Sequence, residues 1–250
     1  CLVGSEMCIR DSCEAMVVVS HPENGYASIS TVNMDFITAG TSGAVRAALK
    51  MDQVRTLAAL YAPLDGMNEA GLAVSVNMIQ DSATIAQNTD KPDITTTTAV
   101  RLLLNKAGNV EDALTLLEEY DLHASMGMMI HFALTDRTGR SVVVEYIDQE
   151  MVVTETPVVT NFYLAEGEKH GIGTQQSHER YDILTGLLAQ RETMSSADVR
   201  DALERVSKKN FDDYASTEWS IVFDLDAGTA QYYHRENYEQ QYAFSLTEGE

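Results

Sequence analysis

The sequence predicts an α+β fold in which antiparallel sheets are covered by layers of helices, on three observations. Apolar and polar residues alternate with the period of a strand near the start, in the middle and at the end of the chain. Between those blocks lie pairs of stretches with apolar residues at helical spacing and capping residues at their ends. No linker, repeat or low-complexity tract separates the blocks, so strands and helix pairs are expected to share one core.

Composition bounds the function. At 250 residues, with 44% hydrophobic and 22% charged residues, the chain is ample for a packed domain. No run approaches 18 apolar residues, so no membrane-spanning helix is expected, and no apolar signal segment opens the chain. The formal charge of −21 sets up a field that repels nucleic acid and anionic membranes, and leaves a small-molecule pocket unconstrained. Cys1, Cys8 and Cys13 all fall in the first 13 residues, so no disulfide framework serves the body of the fold. A body free of cysteine suits either a cytoplasmic or a secreted bacterial protein. His21, His123, His131, His170, His178 and His234 show no metal-ligand spacing, and no metal or cofactor is expected.

Taken in order, CLVGSEMCIRDS has no periodicity and resembles translated adapter sequence, so residues 1–12 are expected to be a non-native segment and 13–250 a single domain. Residues 16–19 and 26–32 read as strands around an Asn24-Gly25 hairpin turn. Residues 44–60 carry Val45, Leu49, Val54, Leu57 and Leu60 at helical spacing, stopping before Pro63. The next stretch, LDGMNEAGLAVSVN, offers a turn signal at Asp65-Gly66 and another at Ala70-Gly71. A strand then alternates Leu72, Val74 and Val76 against Ala73, Ser75 and Asn77. An amide at a strand tip beside a glycine-bounded loop either presents a hydrogen-bond donor to a ligand or starts the next turn.

Residues 80–94 are polar and read as a loop over a pocket. Asp93 or Thr95 caps the helix in TTTTAVRLLLNKAG, and Asn109 caps VEDALTLLEEY; both read as a packing layer. Residues 128–134, 141–147, 151–155 and 158–161 read as strands, the last pair broken by Pro157. Helices over 177–189 and 196–206 follow, the second opening on the Ser195-Ser196-Ala197-Asp198 cap signature, then strands over 219–225, 230–233 and 242–246.

DGMNEAGLAVSVN resembles the DGMNE-x-GL-x(4)-N stretch of the choloylglycine hydrolase family, linear amide C–N hydrolases that include bile salt hydrolases and penicillin V acylases. HFALTDRTGRSVVVEY, then VVTN ending at Asn161, SHERY with Arg180, and TEWSIVFDLDAGTAQYYHRENY resemble further family landmarks in family order, over roughly residues 13–246. The resemblance implies the four-layer αββα sandwich of the N-terminal nucleophile hydrolases. It also implies a small-molecule amide substrate, a thioester acyl-enzyme on an N-terminal cysteine whose α-amine is the base, and homo-oligomers. Carried over by position, Asn77 lends its backbone N–H and Asn161 its side-chain amide to an oxyanion hole, and Arg180 favours the thiolate. On pattern alone, Asn161 reads as a strand-end turn residue and Arg180 as an exposed helix charge.

Cys13 leads the stretch CEAMVVV, with Asn33-Met34-Asp35 in the place of the family's Arg-Asn-x-Asp. Against that register, position 32 is Val rather than Arg, and Asp35 lies 42 residues (77 − 35) before Asn77, closer than in the family. The better register puts both the nucleophile and the Arg/Asp pair upstream of Cys13, as in an N-terminally truncated copy, and Cys1 lacks family context. Acyl transfer to an amine, or ligand binding without catalysis, are the alternatives on the same fold.

Overall fold

The computed structural model describes residues 2–4, 14–39, 41–167, 173–210 and 215–247. The chain opens with β1 (Leu2–Gly4), β2 (Ala15–Ser20), β3 (Ser28–Asn33), α1 (Met34–Ala39), α2 (Gly43–Ala48), α3 (Asp52–Leu60), β4 (Asp65–Asn68) and β5 (Leu72–Met78). Then come β6 (Asp93–Thr95), α4 (Thr96–Lys106), α5 (Val110–Glu118), β7 (Asp121–His123), β8 (Ile130–Asp136), β9 (Ser141–Ile147) and β10 (Glu150–Glu155). The last third holds α6 (Gln175–Ala189), α7 (Ser196–Val206), β11 (Lys209–Asn210), β12 (Ala215–Ser216), β13 (Trp219–Asp224), β14 (Thr229–His234) and β15 (Asn237–Ser245).

Two antiparallel sheets carry the fold, one of seven strands in the order β10-β9-β8-β5-β4-β3-β2 and one of four in the order β1-β13-β14-β15. Strand alternation assigns the layers. Leu72, Val74 and Val76 face outward onto Leu103 and Leu104 of α4 and Val110 and Leu117 of α5. Ala73, Met67 and Ile29 face inward onto Trp219, Ile221 and Phe223 of the second sheet. The far side of that sheet meets α7, with Leu203 packed on Val222 and Tyr233, and α6 joins α7 through Leu184 and Ala202. Helix, sheet, sheet, helix is the expected four-layer order. Each fully buried Leu or Ile in these layers contributes about 1.5–3 kcal/mol.

Most capping signals act as read. Thr95 and Thr98 form a capping box at α4, Asn109 accepts from the Asp112 N–H at α5, and Ser195 pairs with Asp198 at α7. Three expectations change. Residues 44–60 are two helices, α2 and α3, broken at residues 49–51. Asp65-Gly66 is no turn but the start of β4: a Cβ on Gly66 would meet the Ile29 carbonyl oxygen at 2.5 Å, so the glycine serves close strand approach. Residues 158–161 form no strand, which leaves Asn161 on the irregular segment between β10 and α6. Within 1–12, Leu2–Gly4 pair antiparallel with β13, while Cys1, Cys8, Cys13 and His170 lie outside the described residues.

The motif that carried the resemblance is largely a folding device. Asn68 donates to the carbonyls of Leu104 and Ala107 at 3.0 and 2.8 Å, and accepts from the N–H groups of Gly71 and Leu72. One buried amide thus closes the β4–β5 turn and satisfies the last carbonyls of α4. Arg101 of α4, also buried, donates to the Leu60 carbonyl and to the hydroxyls of Ser28 and Ser30. Among the described residues, no helix is long and apolar enough to cross a membrane.

Candidate active site

The site forms where β5 runs past the end of β4. Alternation that sends Val74 and Val76 outward sends Ser75 and Asn77 to the face between the sheets. Asn77 there lines three adjoining cavities. The largest, about 400 Å³, is mainly apolar, with Leu64, Val76, Met78, Met126, Met128 and Ile130 among its walls. The second, about 280 Å³, lies toward α6 and α7, against Val158, Leu184, Leu188 and Val199. The third, about 50 Å³, is bounded by Arg180, Thr160 and Ser220. Of the stretch 80–94, Gln80 lines the largest cavity.

Backbone parity decides which groups of β5 reach these spaces. Val76 N–H donates to the Leu64 carbonyl on the β4 side, and Ile79 N–H donates to the Met129 carbonyl on the β8 side. The alternation therefore turns the Asn77 N–H toward β8, where it is registered opposite His131. What Asn77 offers the cavities is its side-chain amide. The Met78 carbonyl points to the side that β4 no longer covers, and Asn161 takes it up, donating through Nδ2 at 2.7 Å.

Asn161 is held from its other end by Arg180, which donates through Nη2 to Oδ1 at 2.7 Å and to the Ser177 hydroxyl at 3.3 Å. The first two turns of α6, capped by Thr174, bring Ser177 and Arg180 under this loop. Arg180 is half-buried, and no carboxylate pairs with it among the described residues; its Nε is buried without a partner. Burial lowers its pKa from the ordinary guanidinium value, far from enough to discharge it at neutral pH. A cation beside a cavity favours an anion there.

The loop carrying Asn161 is tied down on every side. Thr160 donates to the Ser177 carbonyl at 3.0 Å, and the Tyr163 hydroxyl donates to Asp81 at 2.6 Å. Glu145 of β9 accepts from the N–H groups of Leu164 and Ala165, and lies 3.1 Å from Nδ1 of His131. The side chains of His131 and Glu145 are fully buried. Burial pushes the Glu145 pKa up, but the bond and charge of His131 and the two N–H groups outweigh it, leaving the carboxyl below its usual range.

Asn77, Asn161 and Arg180 thus meet at one junction of cavities, but Asn77 brings its side chain there and not the backbone N–H expected of it, which strand parity turns toward β8. Sequence reasoning missed Ser177, the Met78 carbonyl and the His131–Glu145 pair. The pair did leave a trace, since Glu145 interrupts the apolar run SVVVEYI of a strand between two others. Ser177 opens the SHERY stretch without any role marked for it, and the Met78 carbonyl leaves no trace.

Residues 59–239 match the family model described as acyl-coenzyme A:6-aminopenicillanic acid acyl-transferase. Among solved structures, the chain is similar to a mutant of the conjugated bile acid hydrolase from Clostridium perfringens, with TM-score 0.65 and 15% identity over 100% of this chain and 88% of that one. A second variant of the same hydrolase aligns with TM-score 0.60 and 15% identity, over 100% of this chain and 94% of that one. Penicillin V acylase from Agrobacterium tumefaciens aligns at TM-score 0.49 and 16% identity, over 94% of this chain and 83% of that one. No curated protein sequence matches the chain.

Proposed function

The chain belongs to the acyl-coenzyme A:6-aminopenicillanic acid acyl-transferase family, with the fold of the choloylglycine hydrolases its motifs resemble, and on that footing we propose that it cleaves a linear amide C–N bond through a thioester acyl-enzyme. The observation that carries the reading is the Arg180–Asn161–Met78 chain of hydrogen bonds at the mouth of an apolar cavity of about 400 Å³. That volume falls in the range of small-molecule sites. It suits the apolar acyl half of an N-acyl amide, a bile-acid conjugate or a penicillin-type side chain.

A thiolate adds to the amide carbonyl, and negative charge grows on the carbonyl oxygen. Asn161 spends one amide hydrogen on Met78 and keeps the second; with the Asn77 amide it supplies donors to that oxygen. Arg180 holds the thiolate charge. The nucleophile is an N-terminal cysteine upstream of Cys13, its α-amine titrating near about 7.7–8.0 and so able to accept the thiol proton. The amine product leaves with that proton, the C–N bond breaks, and water releases the acid from the thioester.

Intact-mass trapping with chromogenic N-acyl amides tests this on two forms of the protein. One begins at Cys13 with a free amine; the other carries genomic sequence upstream with its own N-terminal cysteine. One acyl adduct on the longer form is the expected result. An adduct on the shorter form that Cys13→Ala abolishes would move the nucleophile to Cys13, and no adduct on either form rejects the reading.

A second reading, acyl transfer to an amine acceptor, is favoured by the name of the matching family and by the second cavity of about 280 Å³ across Asn77 from the first. Release of a new amide rather than free acid, when an amine is added to the acylated protein, separates the two.

A further inference from the structure

The His131–Glu145 pair has no part in the chemistry above, yet it is the most deeply buried ionisable pair among the described residues, with both side chains at 0% exposure. A buried pair of this kind is poor evidence for stability, because desolvation offsets its attraction. Its partners say more about it. Glu145 receives the N–H groups of Leu164 at 3.1 Å and Ala165 at 2.5 Å, three and four residues beyond Asn161. His131 is registered opposite Asn77 across the β5–β8 ladder. Asn161 returns to the same strand through its bond to the Met78 carbonyl. The contacts close a ring: Asn77, His131, Glu145, the Leu164–Ala165 backbone, Asn161, Met78.

We propose that His131 and Glu145 are positioning residues that fix the Asn161 amide relative to Asn77, so that the two donors face one oxygen atom. This rests on the amide-cleavage reading for its effect on rate, but the clamp itself does not. The loop from residue 156 to 167 has no regular structure to hold Asn161 in place. A ligand-facing side chain on such a segment needs outside anchors. Glu145 is the anchor for the half of the loop that follows Asn161, and His131 is the group that holds the carboxylate in line. A carboxylate with two oxygens can accept both N–H groups and the imidazole together, which an amide at the same position cannot.

Two measurements on Glu145→Gln and His131→Gln test it. Amide hydrogen exchange needs no activity: Leu164 and Ala165 are expected to exchange at least about tenfold faster in both variants, with β13 and β14 unchanged, because each lost bond exposes those N–H groups to opening. Steady-state kinetics then ask whether the pair acts through Asn161. Each single variant is expected to lose about tenfold or more in kcat with KM within about twofold, and each combined with Asn161→Ala to be no slower than Asn161→Ala alone. Unchanged loop exchange overturns the clamp, and additive rate losses overturn action through Asn161. The kinetics use the longer form with its own N-terminal cysteine; absence of amide cleavage there would reject the proposed function, while the exchange result would still decide the clamp. A variant that unfolds shows as exchange in all strands, and the other variant then decides.

Discussion

Arg180 donates to Oδ1 of Asn161 at 2.7 Å, and that bond settles which end of the Asn161 amide faces the Met78 carbonyl. An amide has one acceptor end and one donor end. With the acceptor end claimed by a guanidinium, the donor end must point toward β5 and the cavity. Asn161→Asp keeps the partner for Arg180 but replaces the donor by a second acceptor facing a carbonyl. Its kcat for amide cleavage is expected to fall about 10²–10³-fold, as much as for Asn161→Ala. Parallel steady-state assays of the two variants measure it, and near-normal activity in Asn161→Asp would remove Asn161 from the oxyanion site.

Asp65 carries the clearest pH dependence. It is buried between the sheets, accepting from Trp219 Nε1 at 3.2 Å while Oδ1 has no partner. Burial pushes its pKa up to about 7, against the smaller pull of Thr31 and Trp219. A raised pKa means that the folded state holds the proton more tightly than the unfolded one. The stability it contributes is present in full below about pH 3.8 and is lost as pH rises through about 7. The shift corresponds to about 4 kcal/mol. Asp65→Asn mimics the protonated form, so its urea unfolding free energy should gain on that of the parent between pH 4 and pH 8. Parallel pH curves would show that Asp65 ionises normally.

Asn68→Ala removes four hydrogen bonds and leaves the carbonyls of Leu104 and Ala107 buried without their donor. A loss of about 2–4 kcal/mol is expected, since unsatisfied buried groups bear the full desolvation cost. Chemical denaturation reads it directly. A change under about 0.5 kcal/mol, the scale of ordinary surface substitutions, would contradict the staple.

Thr97, in the first turn of α4, lines the largest cavity. Thr97→Phe puts a ring into that space from a rigid helix. The expected result is a drop of about tenfold in kcat/KM for long or bulky acyl groups and little change for short ones, as for a pocket altered by a few methylene equivalents. Equal losses across a series of chain lengths would place the acyl group elsewhere.

Much of the fold was legible locally because its signals are local. Alternation in residues 72–77 and the caps at Thr95, Asn109 and Ser195 each depend on residues a few positions apart. The misreadings have the opposite origin. Gly66 looks like a turn residue until the neighbouring β3 backbone is known to pass within contact of it. Asn161 looks like a strand tip because VVT carries strand propensity, yet Pro157 cannot donate to a ladder and no strand forms past it.

The sequence by itself determined the strand faces, and its resemblance to a known family pointed to the four-layer order and to three polar residues that the structure brings to one junction of cavities. Those follow from periodicity and from a motif read along one chain. Only the tertiary structure decided what the polar groups do. The length of β4 leaves the Met78 carbonyl uncovered, the parity of β5 turns the Asn77 N–H into the sheet, and the burial of Arg180 binds it to Asn161. Hydrogen-bond direction and desolvation depend on which backbone lies alongside, and that neighbour lies 83 residues away for Asn161 and Met78.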